Sequence, residues 1–100
     1  MTQDSHTTLL RLGDTLNFPL KGQLVGVHYS LRDDSQQLIE STHQWGRPFE
    51  WRVGQASVLP QLDQAVRTLS LGGKLRMVTS APHNNTHMQL TYELELLYIK

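Results

Sequence analysis

Between Arg47 and Met77 the hydrophobic pattern changes period twice without a gap. Phe49, Trp51 and Val53 alternate with Glu50 and Arg52, the period of a half-buried strand, and Gly54 closes it. From Ser57 onward the apolar residues Val58, Leu59, Leu62, Ala65, Val66 and Leu69 fall three and four apart, with Gln61, Gln64, Arg67 and Thr68 on the opposite side. This predicts an amphipathic helix. Ser57 is placed to cap it, and Pro60 lies in the first turn, where a missing backbone N–H costs nothing. Asp63 suits the positive end, and Gly72 and Gly73 stop the run. Lys74 to Thr79 reads as a strand again.

The rest of the chain reads as strands that partner this unit. Residues 1–8 are polar and without periodicity, so they are expected to form a flexible tail, its pairing with the sheet left open, with 9–100 as a single domain. Leu9, Leu10, Leu12, Leu16 and Phe18 supply material for a first strand, interrupted by a turn or bulge at Gly13-Asp14. Gln23 to Leu31 is the clearest early strand, with Val25, Val27, Tyr29 and Leu31 on one face and Leu24, Gly26, His28 and Ser30 on the other. After the turn Arg32–Ser35, Gln37 to Ser41 returns antiparallel, and Thr42 to Pro48 is a loop carrying Trp45. Residues 80–87 form a second loop. In the last strand Met88, Leu90, Tyr92, Leu94, Leu96 and Tyr98 share a face, although Leu97 and Ile99 make its end apolar on both sides. Runs of strand around one helix predict an α+β domain with an antiparallel sheet of about five strands.

Composition narrows the function. Nine Lys plus Arg balance nine Asp plus Glu, and no basic run exists to track a phosphate backbone, which argues against a nucleic-acid partner. Cysteine is absent, which removes disulfides and thiolate chemistry. No apolar run approaches the roughly 20 residues that span a bilayer, and the first ten residues lack a signal-peptide pattern. The expectation is a cytoplasmic monomer that touches no membrane.

Four stretches taken together resemble a known family: KGQLVGVHYSL at 21–31, ESTHQWGRPFEWRVG at 40–54, SVLPQLDQAVRTLSLGGKLRM at 57–77 and LTYELELLYI at 90–99. In order and spacing they are similar to an FKBP-type peptidyl-prolyl isomerase domain. The resemblance implies a curved half-barrel sheet wrapped around one short helix, with an apolar pocket that isomerises X-Pro bonds without metal or cofactor. It implies Tyr29, Glu40, Phe49, Leu59 and Tyr92 as catalytic positions, with Ile39, Val58 and Leu62 completing the substrate-binding wall, to which Trp45 is added as a loop aromatic of the kind binding surfaces favour. Tyr29 and Phe49 match the family's wall residues, and the backbone N–H of Leu59 matches an anchor for a substrate carbonyl. Tyr92 stands where the family has phenylalanine, Ile39 and Glu40 replace phenylalanine and aspartate, and Leu62 replaces a tryptophan floor. The family's long flap, which supplies a second carbonyl-binding hydroxyl, is reduced here to SAPHNNTH. A weakened isomerase of proline-containing or unfolded segments is therefore expected, with at most weak macrolide binding.

Periodicity by itself makes Tyr29, Phe49, Leu62 and Tyr92 core residues, whereas the resemblance makes them pocket walls. Glu40 reads as a solvated charge or as a polar anchor, and Trp45 as a rim residue or a lid. His83 and His87 are four apart, but the turn chemistry between them favours loop histidines over metal ligands. Two functions stay open. One is a catalytic isomerase; the other is a non-catalytic module of the same fold that binds a peptide, partner protein or small molecule in the groove.

Overall fold

The computed structural model describes residues 5–55, 58, 60–83 and 86–100. Its strands are β1 (Ser5–Arg11), β2 (Leu24–Arg32), β3 (Leu38–Ser41), β4 (Phe49–Arg52), β5 (Lys74–His83) and β6 (Thr86–Ile99), with helices α1 (Thr42–Trp45) and α2 (Pro60–Arg67). All pair antiparallel in the order β1-β5-β6-β2-β3, and β4 pairs with β2 beside β3. Six strands thus stand where about five were expected. The sheet's inner face carries Val25, Val27, Tyr29, Leu75, Met77, Tyr92, Leu94 and Leu96, all buried with Leu62, Ala65, Val66 and Leu69 from α2 and the turn after it. The outer face is charged: Arg76 and Lys74 both reach Glu93, and Arg11 reaches Glu95. Among the described residues no helix is long and apolar enough to cross a membrane.

Helix α2 begins at Pro60, as its first-turn placement predicts, and its last turn tightens through i→i+3 bonds from Thr68 and Leu69 to the carbonyls of Ala65 and Val66. The expected cap Ser57 lies outside the described residues. Asp63 does more than meet the helix dipole. Its carboxylate accepts the Trp51 indole N–H at 2.9 Å and the Gly54 backbone N–H at 3.0 Å, and it pairs with Arg67 at 3.2 Å, tying α2 to the end of β4.

Four sequence expectations change. Residues 5–8, read as tail, form the first half of β1, because Ser5 to Leu9 pair residue by residue with Thr79 to Leu75. Leu12, Leu16 and Phe18 lie beyond that strand and are exposed. The chain turns away there because the Asp14 carboxylate accepts the N–H groups of Leu16 and Asn17, an Asx turn. Residues 80–83 and 86–87, read as loop, continue the β5–β6 ladder in step as far as His83 opposite Thr86, so His83 and His87 are strand positions. Finally, β2 pairs Gly26 with Tyr98 but Val27 with Leu96, so Leu97 is the extra residue of a β-bulge. The bulge moves Tyr98 off the face of Tyr92, seats it over Gly26, and turns Ile99 onto the core.

Candidate functional site

The inner face of β2 and β6 ends in a cluster of rings. Tyr29 on β2 is its centre, with ring centroids 5.7 Å from Trp45, 5.9 Å from Phe49 and 6.3 Å from Tyr92. Trp45 and Phe49 meet edge to face at 6.0 Å, and Phe49 lies 5.5 Å from Trp51. Edge-to-face and tilted contacts of this kind fit the ring quadrupoles and hold the walls in fixed relative positions. Tyr29 and Tyr92 are 8% and 5% exposed, while Phe49 is half-buried and Trp45 is 40% exposed. The cluster is therefore closed at its base and open at the Trp45–Phe49 side.

Trp45 is placed by a local device that the sequence reading took for plain loop. Ser41 caps a single helical turn by accepting the His43 N–H, and Gly46 in the left-handed region (φ 76°) returns its N–H to the Thr42 carbonyl. The fully buried Thr42 hydroxyl accepts the Tyr29 backbone N–H at 3.0 Å and lies 2.9 Å from His28 Nδ1. Helix α1 is thereby fastened to the strand position that carries Tyr29. His28 in turn stacks on His43 at 4.2 Å, which makes it a satisfied, half-buried histidine on the outer face.

The polar part of the cluster is the Tyr29 hydroxyl, which donates to Glu40 Oε1 at 2.7 Å. Burial, together with that bond to the carboxylate, pushes the Tyr29 phenol well above its usual range. The Tyr92 phenol is raised as well, by burial first and then by the Glu40 charge. Glu40 is thus oriented by one phenol and close enough to act on a second. Both tyrosines stay protonated at neutral pH, so the cluster offers hydroxyl donors and apolar ring surface rather than a base or a nucleophile.

Of the residues singled out from sequence, Tyr29, Glu40, Trp45, Phe49 and Tyr92 come together here. Leu62 is buried in the adjoining core and Val58 packs against it half-buried. Ile39 does not join: the β2–β3 register skips it, pairing Leu31 with Glu40 and Arg32 with Leu38, and it is half exposed. Leu59 lies outside the described residues. Trp51, Thr42 and Asp63 were missed as parts of the site's frame. Trp51 gave a visible signal, an aromatic two residues after Phe49 on the same strand face; the hydroxyl of Thr42 and the carboxylate of Asp63 acquire their partners only in three dimensions. Among the described residues no group of three or more His, Asp or Glu is arranged to hold a metal ion.

Comparison with known proteins agrees with this architecture. Residues 16–97 match the family model described as FKBP-type peptidyl-prolyl cis-trans isomerase. FK506-binding protein 1 of Kluyveromyces lactis is 34% identical over 84 residues, covering 82% of this chain and 74% of the relative. The Drosophila melanogaster peptidyl-prolyl cis-trans isomerase Fkbp12 is 29% identical over 101 aligned residues, 88% of this chain and 91% of the relative. The crystal structure of FkpA from Escherichia coli superposes with a TM-score of 0.80 at 19% identity, covering 96% of this chain and 48% of that one, a likeness of fold. With the family model spanning more than four-fifths of its length, the chain belongs to the FKBP-type peptidyl-prolyl cis-trans isomerases.

Proposed function

We propose that the Tyr29–Trp45–Phe49–Tyr92 cluster receives the proline ring of a flexible or unfolded segment and isomerises the preceding peptide bond. The uncatalysed barrier, ~18–20 kcal/mol, arises from the double-bond character of C–N, which water sustains by hydrogen-bonding the carbonyl oxygen. An apolar site that removes this water and fits the twisted bond better than the planar one lowers the barrier without covalent chemistry. The observation that carries the reading is the Tyr29 ring, buried at its base, tied through its hydroxyl to Glu40, and flanked by the half-open faces of Phe49 and Trp45. The Leu59 N–H as carbonyl anchor, and Val58 and Leu62 as further walls, belong to the same proposal. So does a chain acting alone, as a monomer, on clients in the cytosol.

Catalysis is proposed to be weak. Only residues 84 and 85 lie between the paired His83 and Thr86, so this connection lacks the chain length to fold back over the cluster. An open site excludes water less completely. The same observation favours a second reading, in which the groove binds peptides or macrolides of the kind named in the FK506-binding relatives, weakly and without useful turnover. NMR exchange spectroscopy on a short X-Pro peptide decides between them. Exchange driven by substoichiometric protein above the uncatalysed rate, one event in tens to hundreds of seconds, establishes the isomerase; an unchanged rate with a folded sample leaves the binding module.

A further inference from the structure

Tyr92 carries a hydroxyl that bonds to none of the described residues. It is 5% exposed, on the inner face of β6, with its ring 6.3 Å from Tyr29. The Tyr29 hydroxyl has Glu40 as its acceptor, whereas the Tyr92 hydroxyl has no hydrogen-bond partner among the described residues. No fully buried side-chain nitrogen or oxygen among them lacks a partner, so the Tyr92 oxygen is not sealed from solvent. A phenylalanine would fill the same space, and the hydroxyl that tyrosine adds makes no hydrogen bond to a described residue. The other tyrosine of this strand, Tyr98, has its hydroxyl bonded to Glu50.

We infer that the Tyr92 hydroxyl donates a hydrogen bond to a backbone carbonyl of the bound proline-containing segment, a carbonyl flanking the bond that isomerises. The inference rests on the reading of the cluster as a prolyl-peptide site and adds to it a second polar anchor, built into the sheet instead of a covering loop. Glu40 favours this direction of donation. Burial first, and then the Glu40 charge, raise the Tyr92 phenol and keep it a donor, while the Glu40 carboxylate already accepts the Tyr29 hydroxyl. The chemistry also restricts which carbonyl is taken. A donor on the oxygen of the isomerising amide would strengthen C–N double-bond character and slow the reaction, as water does; a donor on a neighbouring carbonyl positions the chain and leaves that bond free to twist. Tyr92 is thereby a substrate-binding residue, equally engaged in the ground and transition states.

The test compares wild type, Tyr92→Phe and Tyr98→Phe, using a short X-Pro peptide with exchange rates at several peptide concentrations and a separate NMR titration for Kd. Losing one neutral hydrogen bond to the peptide is expected to raise KM and Kd for Tyr92→Phe by about 3- to 10-fold with kcat unchanged. Tyr98→Phe should match wild type, and Tyr92→Phe should be at least as heat-stable as wild type. Equal KM and Kd in Tyr92→Phe overturn the inference while the isomerase reading stands. A raised kcat overturns it too, by placing the hydroxyl on the reacting carbonyl, and so does a marked loss of stability, which would reveal a structural partner. If wild type binds the peptide without accelerating exchange, the isomerase reading falls and the Kd ratio alone decides: a 3- to 10-fold rise keeps the anchor, and no change removes it. If wild type does not bind the peptide at all, both fall.

Discussion

Two ends of one strand, β6, show how a single register change separates site from surface. Near Tyr92 the alternation is unbroken, and each apolar residue lands on the inner face opposite its β2 or β5 partner. Near Tyr98 the bulge at Leu97 interrupts it, so Tyr98 lies on the outer face with its hydroxyl bonded to Glu50 and Lys100 4.9 Å from its ring centre. The strand therefore presents one tyrosine to the ring cluster, its hydroxyl bonded to no described residue, and another to the outer face with its hydroxyl engaged. Residue type does not distinguish them; backbone pairing does.

The largest effect is expected where the inner end is braced. Trp51→Ala should cost about 3–5 kcal/mol, by emptying a large buried volume and removing the indole donor from Asp63. Denaturant titration measures it, and a loss below 1 kcal/mol would mean that the α2–β4 link is dispensable.

Gly26 tests the other end. A Cβ built there would stand 2.1 Å from the Tyr98 ring, so Gly26→Ala should destabilise by about 1–3 kcal/mol through overpacking. Adding Tyr98→Ala should relieve most of that loss. Additive losses in this double-mutant cycle would refute the packing of Tyr98 on Gly26.

Thr42→Val keeps the shape of the buried side chain but leaves the Tyr29 N–H without its acceptor. The expected cost is about 1–3 kcal/mol. Because α1 is fastened at that point, the Trp45 emission should shift as well. An unaltered spectrum at equal stability would show that Trp45 is placed by something else.

The smallest effect appears at high pH. All three tyrosines, Tyr29, Tyr92 and Tyr98, titrate above the ordinary phenol value of 10.0. A group whose pKa is raised by folding stabilises the native state fully below its unfolded pKa, and that contribution disappears as pH rises through the folded value. Stability should therefore decline above pH 10, with phenolate absorbance growing as the fold is lost rather than before it. Tyr29→Phe should flatten the decline more than Tyr98→Phe, since Tyr29 is the more buried. The reverse ranking would contradict the environment assigned to Tyr29.

Much of this arrangement was legible in the sequence because burial imposes a period. The two-residue alternation in 23–31 and 49–53, and the three-and-four spacing in 58–69, locate β2, β4 and α2 and put Tyr29 and Phe49 on core-facing positions. What stayed hidden depends on pairing or on single polar atoms. Leu97 carries no mark of a bulge beyond the doubled apolar pattern at the strand's end. Residues 80–83 and 86–87 read as loop by composition, although the β5–β6 ladder keeps them extended. Thr42 reads as an ordinary loop residue and Asp63 as an ordinary first-turn residue, and only the fold reveals that one clamps Trp45 to Tyr29 while the other clamps α2 to Trp51. Composition and spacing together with family resemblance reach the walls of the site; the hydroxyls that separate one tyrosine from another need coordinates.

The central claim is that the ring cluster around Tyr29 twists X-Pro bonds, and exchange spectroscopy on wild type beside Phe49→Ala tests it most directly. Phe49 is half-buried at the open side of the cluster, so the variant removes a wall while the base of the core stays packed. The account predicts exchange in the wild type faster than the uncatalysed rate, and a loss of about 10-fold or more in the variant while both remain folded. Equal rates for the two proteins, whether both accelerated or both uncatalysed, would contradict it.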